Sequence, residues 1–204
     1  MEEIKNDTEN ENIEIFIVDL EDFDSIRNMV NAFKQKHDQL HVLINNAGLI
    51  FYKRETTAAG HEKTMAINHL GHFLLTNLLL DVIKKSAPAR IINVSSNGHK
   101  MARLDLDDLM LEKKRGLAPF SIVAYGNSKL ANILFTYELA RRLEGTGVTV
   151  NALHPGGVRT NFGKGTNPWY YRAIFSVASI FLKSPAKGAK TSIYLASSPE
   201  VKDI

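Results

Sequence analysis

Four short β-branched, apolar runs alternate with longer stretches of helical spacing along the 204 residues. This alternation constrains the fold more than any other feature. Residues 13–18, 41–44, 90–94 and 148–153 read as buried strands. Residues 22–36 carry Phe23, Ile26, Val30 and Phe33 at helical intervals, and helices are also expected over 57–82, 121–143 and 185–196. Residues 1–12 read as a helix end or a frayed tail, and the mixed, charged stretch 97–120 as a surface excursion. Strands alternating with helices imply βαβ units and a parallel sheet covered on both faces. No repeat, low-complexity tract or linker interrupts the pattern. The expectation is one α/β domain over residues 1–204 with a doubly wound parallel sheet.

Composition excludes several classes of function. Cysteine is absent, which removes disulfides, thiol nucleophiles and thiolate metal sites. Lys and Arg number 25 against 22 Asp and Glu, and a net charge of +3 gives no footprint for nucleic acid. The opening residues are polar and acidic, the opposite of a signal peptide. The apolar stretch 169–182 includes Arg172 and is too short to span a bilayer. It is expected to be a core-facing helix. Contact with a membrane surface, or lining of an apolar pocket, are the alternatives.

Four motifs carry chemistry. Tyr125 and Lys129 stand at i and i+4 on a helix, on one face. An ammonium beside a phenol favours the phenolate and lowers a pKa that is otherwise near 10. The bland alternative is two common residues on a helix surface. Ser95 and Ser96 follow a strand, where parallel sheets place ligands, although a serine there also serves as a helix cap. Asn45-Asn46-Ala47-Gly48 ends another strand, and its small residues let a flat ligand approach the backbone. Alone it is turn chemistry. His154-Pro155-Gly156-Gly157-Val158-Arg159-Thr160 follows the last strand and reads equally well as a simple connection.

Their order is more informative than any one of them. Asp19-Leu20, Asn45-Asn46-Ala47-Gly48, Asn68, Ser95-Ser96, Tyr125-x-x-x-Lys129 and Pro155-Gly156-x-Val158-x-Thr160 occur in the order seen in the short-chain dehydrogenase/reductase family. The chain resembles that family over nearly its whole length. Asn68-His69-Leu70-Gly71-His72-Phe73 and Ser128-Lys129-Leu130-Ala131-Asn132 look like its retinol dehydrogenase group. The resemblance implies a Rossmann-like sheet and an NADP-dependent interconversion of alcohol and carbonyl, with NAD as the alternative cofactor. It implies a small lipophilic substrate such as retinol or retinal. It makes Tyr125 the general acid/base. Lys129 would bind the nicotinamide ribose and lower the Tyr125 pKa, Ser96 rather than Ser95 would position the substrate oxygen, and Asn68 would support a water relay to Lys129. Asp19 and Leu20 would lie near the adenine, Asn45, Ala47 and Gly48 along its ribose, and Pro155, Gly156, Val158 and Thr160 beside the nicotinamide.

The sequence also departs from the pattern. The family opens with a strand and a glycine-rich turn that seats the pyrophosphate on a helix N-terminus. Neither is found in these residues. Gly145-x-Gly147 precedes a strand, and Gly163-Lys164-Gly165 lacks the Ser/Thr of a phosphate loop. In the usual order two strands lie between the third and the fourth, so residues 13–18 are expected to lack ladder partners. The expectation is therefore a sheet truncated at the N-terminus and at the C-terminus: a fragment, a truncated product, or a chain completed by a partner. A catalytically inactive remnant acting as an interaction partner is the rival function.

His69-x-x-His72 lacks a third ligand, so no metal is expected. No G-x-S-x-G elbow surrounds Ser95 or Ser96, which excludes a serine hydrolase of that type. An intracellular location is expected, in the cytoplasm or against an endoplasmic reticulum or mitochondrial membrane through peripheral contact. Self-association into a homo-oligomer is a further expectation.

Overall fold

The computed structural model describes residues 2–113, 119–159, 182–202 and 204. Its centre is a parallel sheet of three strands, β1 (Val42–Asn45), β2 (Ala89–Val94) and β3 (Val148–Leu153), in the order β1-β2-β3. Ile44 lies opposite Ile92, and Ile92 opposite Asn151. Among the described residues five helices accompany the sheet: α1 (Glu2–Thr8), α2 (Phe23–Lys36), α3 (Lys63–Lys85), α4 (Phe120–Arg142) and α5 (Pro185–Ser197). One-turn 3₁₀ segments at Asn97–Met101 and Leu106–Asp108 organise the excursion between β2 and α4.

Alternation along β2 explains the layers. Ile91 faces α2, α3 and α4, within a cluster that includes Ile26, Val30, Leu79, Ile83, Leu139 and Val150. Ile92 and Val94 point the other way and pack with Leu153 against Leu195 and Ala196 of α5. Successive residues of a strand face opposite sides, so a central strand covered on both sides carries apolar residues on both faces, as Ile91 and Ile92 do here.

The helix expected over 57–82 begins later. Glu62 caps it, its carboxylate accepting from the Thr64 and Met65 amides. Within α3 the residues Ala66–Leu70 form a π-turn. Helices at 120–142 and 185–197 and the strand at 148–153 fall within one residue of expectation. By length and composition α3 also passes for a membrane span, but in this fold it packs on the sheet.

Residues 13–18 form no strand, a correction to the sequence reading. The outer edge of β1 has no neighbour among the described residues, and a β pattern without a ladder partner leaves its amides unpaired. Ile15 and Ile17 are 56% and 87% exposed. The segment is held instead by Glu14, which pairs with Lys36 and His37, and by Phe16 against Phe33. Val42 and Ile44 on β1 are exposed as well.

Candidate active site

The chemistry-bearing side chains gather where β2 ends and α4 passes over it. Tyr125, Ser128, Lys129, Asn132 and Thr136 recur every three or four residues and so share one face of α4. That face turns inward: Ser128, Lys129, Asn132 and Thr136 are all buried. A polar stripe on a helix usually marks the solvent side. Here it marks the site.

Lys129 is 3% exposed, and its ammonium donates to the Val94 carbonyl at 2.9 Å. No acidic group among the described residues offsets it. Burial alone lowers its pKa to about 8. Its Nζ lies 5.7 Å from the centre of the Tyr125 ring. The Tyr125 hydroxyl is hydrogen-bonded to Ser96. Burial pushes the phenol above its ordinary value, and the Ser96 bond opposes this only in part. The expected lowering of Tyr125 by Lys129 therefore does not dominate in this arrangement. Desolvation of the phenolate is the larger effect, and the ammonium is turned toward Val94.

The two serines separate cleanly. Ser95 is buried, and its hydroxyl donates to the Lys129 carbonyl at 2.8 Å. Ser96 is half-buried, caps the 97–101 turn through the Gly98 amide, and faces Tyr125. Gly98 was not singled out by sequence reasoning, yet a Cβ there would lie 2.9 Å from the Tyr125 ring. Its signal is a glycine two residues after the serine pair.

Asn68 sits in the π-turn and is fully buried. Its side chain makes a two-way clasp with Leu49: the Leu49 amide donates to Oδ1 at 2.8 Å and Nδ2 donates to the Leu49 carbonyl at 2.9 Å. Nδ2 also reaches Ser128 Oγ at 3.1 Å, whose hydroxyl donates to the Tyr125 carbonyl. Gly48 stands beside both Asn68 and Lys129. A Cβ on it would meet Asn68 Oδ1 at 3.3 Å and Lys129 Nζ at 3.5 Å. The missing side chain leaves an opening onto two polar groups.

The remaining candidates are more dispersed. Asn46, Ala47 and Gly48 are exposed at the end of β1, but the Asn45 amide turns inward and donates to Thr76 Oγ1 and Asn93 Oδ1. Asn93 in turn donates to Thr136. Asp19 and Leu20 lie at the entry to α2, where the Asp19 carboxylate accepts from the Glu21 amide and the Leu20 carbonyl abuts Gly71. Pro155, Gly156 and Val158 follow β3. Gly156 has φ +86°, and a Cβ there would strike Lys183 Nζ at 2.9 Å. Val158 forms a parallel bridge with Lys183. Thr160 and residues 169–181 of the apolar stretch lie outside the described residues. No cluster of three metal-ligating side chains occurs among the described residues.

Comparison with known proteins matches this geometry to a family. A family model described as enoyl-(acyl carrier protein) reductase covers residues 1–199. Human retinol dehydrogenase 14 is 50% identical over 189 residues, covering 92% of this chain and 55% of the human protein. Bovine retinol dehydrogenase 12 is 45% identical over 194 residues, covering 95% of this chain and 60% of the bovine protein. The chain thus spans little more than half the length of these relatives. Among solved structures, a short-chain dehydrogenase/reductase of unknown function from Caenorhabditis elegans, with cofactor, superposes with a TM-score of 0.74 at 20% identity, covering 100% of this chain and 76% of that one. The RhlG/NADP active-site complex of Pseudomonas aeruginosa gives 0.63 at 25% identity, covering 90% and 70%. With the matched model, the parallel sheet and the Ser96, Tyr125 and Lys129 grouping in one place, this chain belongs to the short-chain dehydrogenase/reductase family.

Proposed function

We propose that the protein is an NADP-dependent oxidoreductase that interconverts an alcohol and a carbonyl on a lipophilic substrate of the retinol/retinal type. The observation that carries this reading is the convergence of Ser96, Tyr125 and Lys129 at the carboxyl end of β2. Similarity to retinol dehydrogenases supports the substrate class, and the NADP complex of a solved relative supports the cofactor.

The residues present fit the nicotinamide half of a dinucleotide. The opening at Gly48 faces an ammonium without an acidic partner among the described residues, and an amide oxygen. That donor and acceptor pair suits a sugar hydroxyl. Lys129 and Tyr125 would hold the ribose, with Pro155, Gly156, Val158 and Thr160 beside the ring. Asn45, Ala47, Asp19 and Leu20 would border the adenine end. When bound, the cofactor supplies or accepts the hydride.

The chain's own groups handle the proton. A phenol held above its ordinary pKa stays protonated at neutral pH, so Tyr125 is set to give its hydroxyl proton to a carbonyl oxygen. Ser96, on the same hydroxyl, positions that oxygen. In the oxidising direction Tyr125 must accept a proton, and the nearby Lys129 ammonium favours the phenolate this requires. Asn68 and Lys129 flank the Gly48 opening, where a water would join the relay to Lys129.

The test is Tyr125→Phe assayed with retinal and NADPH. The substitution should lower turnover by about 100-fold or more while NADPH still quenches or enhances fluorescence as before. An unchanged rate would remove Tyr125 from the chemistry.

One observation favours a second reading, a catalytically silent family member that acts as an interaction partner. Residues 13–18 and the outer edge of β1 lack ladder partners among the described residues and expose Ile15, Ile17, Val42 and Ile44. A folded chain that shows no saturable NADPH binding would select this reading.

A further inference from the structure

We propose that Asn132 and His72 are positioning residues that together grip the main-chain carbonyl of Asn68 and so hold the π-turn that carries the Asn68 side chain beside Gly48 and Lys129. The turnover arm of this inference rests on the functional reading above; its structural arm does not.

The Asn68 carbonyl receives two side-chain donors. Asn132 Nδ2, from α4, donates at 3.0 Å, and His72 Nδ1, one turn further along α3, donates at 3.1 Å. A carbonyl only accepts, so the His72 proton is on Nδ1, and both lone pairs of the oxygen are filled. Asn132 is itself fixed at both ends. Its Oδ1 accepts from His69 Nδ1 at 2.9 Å, and its own carbonyl accepts from Thr136. Asn68, His72, Asn132 and Thr136 are all buried. Burial also keeps His72 neutral at pH 7, so the ring donates without carrying charge.

The location gives the grip its consequence. Asn68 lies in the π-turn, where main-chain bonding is looser than in an α-helix: the Gly71 amide reaches back five residues to Ala66. Side-chain donors on the Asn68 carbonyl hold that turn open. With the turn fixed, the Asn68 amide clasps Leu49 from both sides and reaches Ser128, which holds the Tyr125 carbonyl. Leu49 follows Gly48, which stands beside Lys129 Nζ. Asn132 is three residues after Lys129 on the same helix. One side chain therefore keeps α4, with Tyr125 and Lys129, in register with the α3 turn and the β1 loop. Buried polar networks of this kind are worth more as a unit than pair by pair.

The experiment compares wild type, Asn132→Leu and His72→Leu by NMR hydrogen exchange and by turnover. The Leu49 amide is the reporter because its acceptor is Asn68 Oδ1. In either variant that amide should lose protection by on the order of 10-fold or more, while amides of β2 keep theirs. The kcat for retinal reduction should fall on the order of 10–100-fold with KM little changed, because the groups are misplaced rather than removed. Unchanged Leu49 protection in a folded variant overturns the proposal. So does a loss spread evenly over all three strands, which would mean general loosening. If Asn132→Leu does not fold, His72→Leu carries the same readouts. If wild type turns over no carbonyl substrate, the functional reading fails, and Leu49 exchange still decides this inference.

Discussion

The Lys129 ammonium donates to the Val94 carbonyl at 2.9 Å, tying the helix that bears Tyr125 to the last residue of the central strand. Burial without a compensating carboxylate makes that ammonium costly, and its pKa falls to about 8 against 10.5 in the open chain. Between those values the unfolded chain binds a proton that the folded chain does not. Stability should therefore rise as pH climbs from about 8 toward 10.5. Lys129→Met should stabilise the fold at pH 7 by roughly 1–3 kcal/mol, while abolishing turnover. Denaturant melts at pH 7 and pH 9.5 check both signs. A destabilised Lys129→Met at pH 7 would show that the Val94 bond outweighs desolvation.

His72 gives the acid side of the profile. Burial lowers its pKa from 6.5 to about 4, so only the unfolded chain takes up this proton as pH drops through that window. Stability should fall from pH 6.5 to pH 4, by up to about 3 kcal/mol from this ring. His69, lowered by the same cause, acts in the same sense, and the raised Glu62 carboxyl opposes both. His72→Gln should flatten the slope of melting temperature against pH in this range. An identical slope in the variant would place the acid sensitivity elsewhere.

The serine pair should divide by role. Ser95→Ala removes the bond to the Lys129 carbonyl and should cost about 1 kcal/mol of stability. Ser96→Ala removes Ser96 from the Tyr125 hydroxyl and should instead lower kcat by roughly 10–100-fold with little change in melting temperature. Parallel melts and retinal-reduction assays on the two variants read this directly. The reverse pattern would reassign the substrate-positioning serine.

Gly98→Ala places a methyl group 2.9 Å from the Tyr125 ring, closer than carbon atoms tolerate. The ring is not a flexible tip and has to move as a body. Turnover should drop about as far as in Tyr125→Phe, in a chain destabilised by about 1–3 kcal/mol. Wild-type kinetics in Gly98→Ala would mean that the 97–101 turn yields instead of the ring.

Much of this was legible in the chain itself. Period-two and helical spacing located β3 and α5 to within a residue, because a strand or helix covered by apolar neighbours must carry that pattern locally. The i, i+4 spacing alone put Tyr125 and Lys129 on one face, and the order of Asn68, Ser96, Tyr125 and Lys129 named the family. The same reasoning failed at residues 13–18. Their pattern is that of a strand, but a strand exists only by hydrogen bonds to a neighbour, and no local sequence can supply one.

Tertiary structure decided the rest. Local spacing does not say which of Ser95 and Ser96 meets Tyr125, and only the family resemblance pointed to Ser96; the twist of the chain out of β2 sends Ser95 to the Lys129 carbonyl and Ser96 to the phenol. The polar stripe on α4 reads as a solvent face until β2 and the π-turn of α3 close over it. Asn132 and His72 are separated by 60 residues, and only packing brings both to one oxygen. Local spacing fixes which side chains share a face of an element. Which face is buried, and against which donors and acceptors, depends on contacts between residues distant in sequence, and those same contacts set the burial that shifts the pKa values of Tyr125, Lys129 and His72.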